Sequence, residues 1–149
     1  AIELVVAAQS LILAGGLRAS DTVTGKSVVP GCCAGLEDWR EWSGLLSNLS
    51  PWMGHDPGPW VEFRTGRLRL WQEGHSAPRR GHRNMPVRVD IPKDELPRLL
   101  VGVQHALTDF LAVVDLWAAE AGVASSADAL VAAIDRHFAV SAPLQRRIG

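Results

Sequence analysis

An α+β fold is the architecture that this sequence predicts, with a mainly antiparallel sheet of about five or six strands covered by about three helices. Residues 60–71 alternate apolar and polar side chains around a Thr65-Gly66 turn, as a β-hairpin does. Residues 95–121 place apolar side chains at helical spacing, and strand and helix patterns alternate along the rest of the chain. Because 149 residues suit one hydrophobic core, we expect residues 1–149 to form a single α+β domain.

The first third of the chain predicts short strands followed by a helix. Residues 2–13 are rich in aliphatic side chains and predict a hairpin, although a helix fits them almost as well. Residues 23–29 predict a third strand, which Pro30 and Gly31 end. A helix is expected after Cys33, with acidic residues in its first turn and its aromatic surface packed inward. Its apolar positions are Leu36, Trp39, Trp42, Leu46 and Leu49.

Strand and helix patterns continue through the rest of the chain. Residues 87–91 alternate apolar and charged side chains, so one face of the sheet should be apolar and the other charged. The long helix after them can end at Gly122, and Ser125 with Asp128 offers a capping-box-like start to a last helix. The apolar stripe of the long helix is Leu96, Leu99, Leu100, Val103, Leu107, Phe110, Leu111, Val114 and Trp117. The last helix should face Leu130, Val131, Ile134 and Phe138 inward.

Composition narrows the class of protein. With 47% hydrophobic and 21% charged residues, the chain has the composition of a soluble globular protein. A formal net charge of -1 disfavours a dedicated nucleic-acid protein, and no stretch reaches the roughly 20 apolar residues of a membrane span. We therefore expect no membrane partner. Two adjacent cysteines are too few for a disulfide-rich scaffold, which favours the reducing cytoplasm.

The two cysteines precede the first long helix and allow two interpretations. A helix N-terminus can lower a thiol pKa and expose a nucleophile or a metal ligand. Against this, Glu37 and Asp38 oppose thiolate formation and cysteine is often buried, so burial of Cys32 and Cys33 is favoured. Donors for zinc exist, but their spacing matches no known metal motif, and we predict neither a metal site nor a cofactor. These donors are Cys32, Cys33, His55, Asp56, His75 and His82.

Two loops supply the candidate binding residues. Between the helix and the hairpin, a loop rich in glycine and proline displays Trp52, His55, Asp56 and Trp60, and rigid tryptophans can bury large areas on a partner. The alternative is that these tryptophans close one end of the core. A second loop carries Arg79, Arg80 and Arg83 with no acid among them. This loop could contact phosphates, RNA or an acidic protein surface, or it could simply be solvated.

These observations lead to two functional hypotheses. In size and style the chain is similar to small bacterial proteins, including toxin-neutralising immunity proteins, which implies a non-enzymatic, protein-binding role. An immunity-like or inhibitor-like binding module is therefore the first hypothesis, with no catalytic residue assigned. The alternative is a small thiol- or zinc-dependent enzyme using Cys32, Cys33 and His55. Walker, GxGxxG and GxSxG motifs are absent from the sequence, and no pattern requires or forbids a homodimer.

Overall fold

The computed structural model describes residues 2–56, 58–72 and 86–144. The chain divides into two compact units, one made of Leu13–Pro97 and the other of Ala1–Ile12 with Arg98–Gly149. Helices and antiparallel strands both occur, which confirms the α+β class. The described residues hold five strands in two small sheets, so a single sheet of five or six strands is not confirmed.

Both sheets lie in the unit Leu13–Pro97. The smaller sheet pairs β1 (Ala19–Ser20) with β2 (Ser27–Val28), so the strand predicted over residues 23–29 is shorter than expected. The larger sheet has the order β3 (Trp60–Arg64), β4 (Arg67–Gln72) and β5 (Val87–Pro92), with every pair antiparallel. The predicted hairpin and the strand after it are confirmed.

The larger sheet has one apolar and one charged face, as its alternation predicts. Leu68, Leu70 and Val89 are buried on the apolar face. On the other face Arg69 Nε lies 2.7 Å from Asp90 Oδ1, and the Trp71 indole donates a hydrogen bond to Glu62 at 3.1 Å. The charged side chains of adjacent strands therefore pair across the sheet instead of standing alone.

The helix predicted after Cys33 is a 3₁₀ helix, Leu36–Ser47. Its buried side chains, Trp39, Trp42 and Leu45, recur every third residue, which is the period of a 3₁₀ helix. The inward packing of the two tryptophans is confirmed. Leu46 and Leu49 were expected on the same line but are exposed. Three residues per turn bring Leu45 instead of Leu46 to the buried face, and Leu49 lies beyond the end of the helix.

The unit built from the chain ends is helical. Residues Ile2–Ala7 form helix α1, so the hairpin predicted over residues 2–13 is wrong, and the helical alternative is correct for residues 2–7 only. The long helix α2 (Leu96–Glu120) and the last helix α3 (Ala127–Phe138) are both confirmed. A ring nitrogen of His137, in α3, lies 3.1 Å from the carbonyl oxygen of Ala8, just after α1. This tertiary contact holds the end of α1 against α3. The aliphatic content of residues 2–13 does not by itself distinguish a helix from a strand.

The helix ends agree with the sequence at one site and differ at another. Gly122 adopts the left-handed conformation (φ 73°), and Val123 N donates to Ala118 O at 2.9 Å, so the predicted stop of α2 is confirmed. The residue capping α3 is Ser126, whose side chain makes no capping hydrogen bond. The capping box predicted from Ser125 and Asp128 is therefore not formed.

Helix α2 is apolar over most of its length yet largely exposed. By length and composition it could cross a membrane, so the expectation that no stretch of the chain is long and apolar enough to do so is wrong. Core helices of soluble proteins share this property. The expectation that the protein has no membrane partner therefore stays a prediction.

Candidate functional site

Two loops of the unit Leu13–Pro97 lie against each other and form the candidate site. Gly31 N donates a hydrogen bond to Met53 O at 2.8 Å, and His55 N donates one to Cys32 O at 3.0 Å. Because backbone groups make both bonds, they set the register of the loops independently of side-chain identity. His55 is thereby fixed opposite the cysteines, although it lies 22 positions after Cys33 in the sequence.

Glycine makes this close approach possible. Gly54 has a φ of 100°, and a Cβ atom there would lie 2.6 Å from the carbonyl carbon of Gly31 and 2.7 Å from Cys32 O. Both the dihedral and the lack of space exclude other residues at this position. A Cβ at Gly58 would lie 2.9 Å from His55 O, so the second loop is also tight against itself.

Both cysteines are exposed, so the prediction that they are buried is wrong. They occupy the corner of a turn in which Ala34 N donates to Gly31 O at 3.4 Å. Cys33 has a φ of 63°, the left-handed conformation that a residue with a side chain seldom adopts. Both thiols are exposed on this turn, and the residue that is buried beside them is Ala34.

The turn and the second loop together form a cluster of metal-binding atoms. The Sγ atoms of Cys32 and Cys33 and a ring nitrogen of His55 all lie within 4.8 Å of one another. Zinc forms bonds of about 2.3 Å to sulfur and about 2.0 Å to nitrogen, so the ligand atoms around one zinc ion lie slightly closer to one another than 4.8 Å. A small movement of the side chains would let all three atoms bind one ion. Adjacent cysteines therefore direct their sulfurs to one place here, which their sequence spacing does not predict. Cys32, Cys33 and His55 are called the Cys-His cluster below.

The two thiols interact with each other. A hydrogen bond with Cys32, reinforced by the charge that Cys32 can carry, raises the pKa of the Cys33 thiol above its ordinary value. A metal ion would have to displace the Cys33 proton, so binding should strengthen as pH rises.

Trp52 contacts both the cysteine turn and His55. Its indole Nε1 donates to Cys33 O at 3.2 Å, and its ring meets the His55 ring edge to face with centroids 5.0 Å apart. Its backbone N donates to Glu41 Oε2 at 2.9 Å, which ties the loop to the 3₁₀ helix. Trp52 thus contacts both sides of the cluster, and Glu41 is a supporting residue that sequence reasoning missed.

The other predicted binding residues do not gather at one place. Asp56 follows His55 and is exposed. Trp60 lies at the start of β3, where it stacks on Trp71 with ring centroids 5.6 Å apart. Arg79, Arg80 and Arg83, like His75 and His82, lie outside the described residues.

One signal in the sequence could have indicated the site. Gly31, Gly54 and Gly58 flank the cysteines and His55, and glycines in two separate loops are the residues that a close backbone approach requires. Comparisons of the chain with protein-family models, with curated proteins and with solved structures found no match.

Proposed function

We propose that this protein binds one thiophilic metal ion, of which Zn²⁺ is the leading example, through Cys32, Cys33 and His55. The observation that carries the proposal is the convergence of three ligand atoms within 4.8 Å on a turn and a loop joined by backbone hydrogen bonds. Two thiolates and one imidazole are soft or intermediate donors, which bind zinc and copper(I) well. Magnesium and calcium prefer oxygen donors instead.

The surroundings of the Cys-His cluster favour the binding of a metal ion. The donors are exposed, so an ion can enter without unfolding the loops. The turn, the Gly54 contact and the Trp52 bonds hold the backbone of the donors before an ion arrives, which lowers the entropy lost on binding. Three protein ligands leave a fourth position of a tetrahedral ion for water or for a group from another molecule.

The test is a zinc titration of reduced full-length protein against a zinc-sensitive chromophore, with native mass spectrometry giving the stoichiometry. We expect one zinc per chain. The variants C32S, C33S and H55A should each weaken affinity at least about tenfold, the loss typical of removing a metal-site contact. His105→Ala is the matched control, because His105 is an exposed histidine on α2, and it should leave affinity unchanged. Equal affinity in C32S, C33S and the unmodified chain would contradict the proposal.

A non-enzymatic protein-binding role, immunity-like or inhibitor-like, in a bacterial cytoplasm is the second candidate. The exposure of Trp52 (43%) and Trp60 (51%) favours it, because such indoles anchor many interfaces. Replacing both with alanine should weaken capture of a partner while circular dichroism shows an intact fold. Unchanged capture would exclude these two residues as the contact surface.

A thiol- or zinc-dependent enzyme would use the same three residues, since the open fourth ligand position is where a catalytic zinc holds water. C32S, C33S and H55A would then abolish turnover as well as binding. Of the two uses of this metal site, we favour metal binding without catalysis, in which the protein holds the ion and transforms no substrate.

A further inference from the structure

Helix α2 carries an apolar stripe on its inward face. The stripe advances by alternating steps of four and three residues, the heptad spacing of a helix packed along its length. Leu100, Leu111 and Ala118 are buried, and the remaining members are half-buried. Its apolar members are Leu100, Leu107, Leu111, Val114 and Ala118, and the polar Gln104 lies between the first two. This inner stripe accounts for the packing of α2 within its own unit.

A second stripe with the same spacing lies beside the first and is exposed. It consists of Leu99, Val103, Ala106, Phe110, Val113 and Trp117, again in alternating steps of four and three. Val113 is 58% exposed and Trp117 51%, and only Val103 is half-buried. A helix that packs on one side needs a single stripe, so this outer stripe is not explained by the packing of the unit.

The form of the outer stripe indicates what covers it. A continuous seam at heptad spacing fits the side chains of another helix, knob into hole, along its whole length. The 25 residues of α2 extend over about 37 Å, enough for five turns or more of paired helix. Two exposed residues lie beside the outer stripe on its solvent side. Asp109 is charged, whereas Leu116 is apolar, so the apolar surface is wider near the C-terminal end of α2.

We propose that the outer stripe of α2 pairs two copies of this chain into a symmetric dimer. A second copy presents the same seam with the same spacing, and two-fold pairing of identical patches is the commonest form of oligomer. Contact between two helices of this length buries on the order of 1,000 Å² in total, near the lower limit for a specific interface. We expect this dimer to dissociate in the micromolar range, and the proposal does not depend on the Cys-His cluster.

The test is analytical ultracentrifugation of the full chain, reduced and metal-free, from about 1 to about 200 µM. We expect the mean mass to rise from one chain toward two. Val113→Asp should raise the dissociation constant at least about tenfold, because it places a charge in the seam. Val101→Asp is the matched control: Val101 is also an exposed valine in α2 but lies off the seam, and its variant should dimerise within about twofold of the unmodified chain.

Other outcomes overturn the proposal. A mass of one chain over the whole range would do so, as would equal dissociation constants for Val113→Asp and Val101→Asp. Flotation with phosphatidylcholine-phosphatidylglycerol vesicles, without dimerisation in solution, would assign the stripe to a lipid surface. If Val113→Asp fails to fold, Trp117→Glu in the last turn of the seam tests the same surface, and a dimer unaffected by it also overturns the proposal.

Discussion

At the scale of single residues, backbone conformation decides the chemistry of the cysteines. Cysteine is commonly buried, but Cys33 stands at the corner of a turn with a φ of 63°, and Cys32 precedes it. Both thiols are exposed, and the hydrogen bond with Cys32 raises the pKa of Cys33. The turn therefore yields an accessible thiol pair in which the ionisation of Cys33 depends on Cys32.

Removal of Cys32 should make Cys33 react faster with iodoacetamide. A raised pKa means less thiolate at a given pH, and Cys32→Ala deletes both the hydrogen bond and the charge that raise it. We expect the alkylation rate of Cys33 at pH 8, measured by mass spectrometry on metal-free protein, to increase several-fold. The two rates should converge well above pH 9, where the thiolate is formed in both proteins. An unchanged rate at pH 8 would show that Cys32 does not control Cys33.

Gly54 offers a second test at this scale. Gly54→Ala should destabilise the protein by about 1 to 3 kcal/mol and weaken zinc binding, because the alanine would be strained at φ 100° and would clash with the backbone of Gly31. Gly102→Ala is the control: it lies within α2 with nothing within 4 Å of an added Cβ, and should stabilise by up to about 1 kcal/mol. Urea unfolding measures both. Equal effects would mean that the loops do not need their close approach.

At the scale of elements, the charged face of the larger sheet ties its strands together. Arg69 on β4 hydrogen-bonds Asp90 on β5 and lies 3.7 Å from Glu62 on β3. The Arg69 hydrogen bond holds the pKa of Asp90 below its ordinary value, and the Trp71 indole does the same for Glu62. Ion pairs shared across three strands are more constrained than isolated surface pairs.

Acid should therefore weaken the protein through this face. A lowered pKa means that the carboxylate contributes its full stability above the ordinary Asp value of 3.8 and loses it as pH falls through the folded value. We expect the free energy of unfolding to decrease below about pH 4. Asp90→Asn should remove about 1 kcal/mol at pH 7 and reduce the acid dependence. Asp109→Asn, at an exposed position of α2, is the control, and an Asp90→Asn profile parallel to it would exclude the sheet face as the source.

At the scale of the whole molecule, the chain contains two compact units, and the Cys-His cluster lies wholly within Leu13–Pro97. An ion that binds only the folded state stabilises whatever unfolds together with its site. Zinc can therefore report whether residues 1–149 fold as the single domain that the sequence predicts.

Hydrogen exchange with and without zinc makes this measurement. If the units open independently, zinc should slow exchange in β3, β4 and the 3₁₀ helix and leave α3 unchanged. Equal slowing in α3 would show one cooperative domain. H55A, which lacks a ligand, should show a smaller zinc effect at the same zinc concentration.

The sequence by itself determined the elements whose signals are local. Alternation around Gly66 specified the hairpin of β3 and β4, helical spacing and Gly122 specified α2 and its end, and the apolar and charged faces of the sheet followed from its period of two. Only the tertiary structure decided the helical state of residues 2–7, the 3₁₀ register that buries Leu45, and the meeting of His55 with the cysteines. These three features depend on contacts between residues far apart in the chain, and a local sequence pattern does not contain the energies of such contacts.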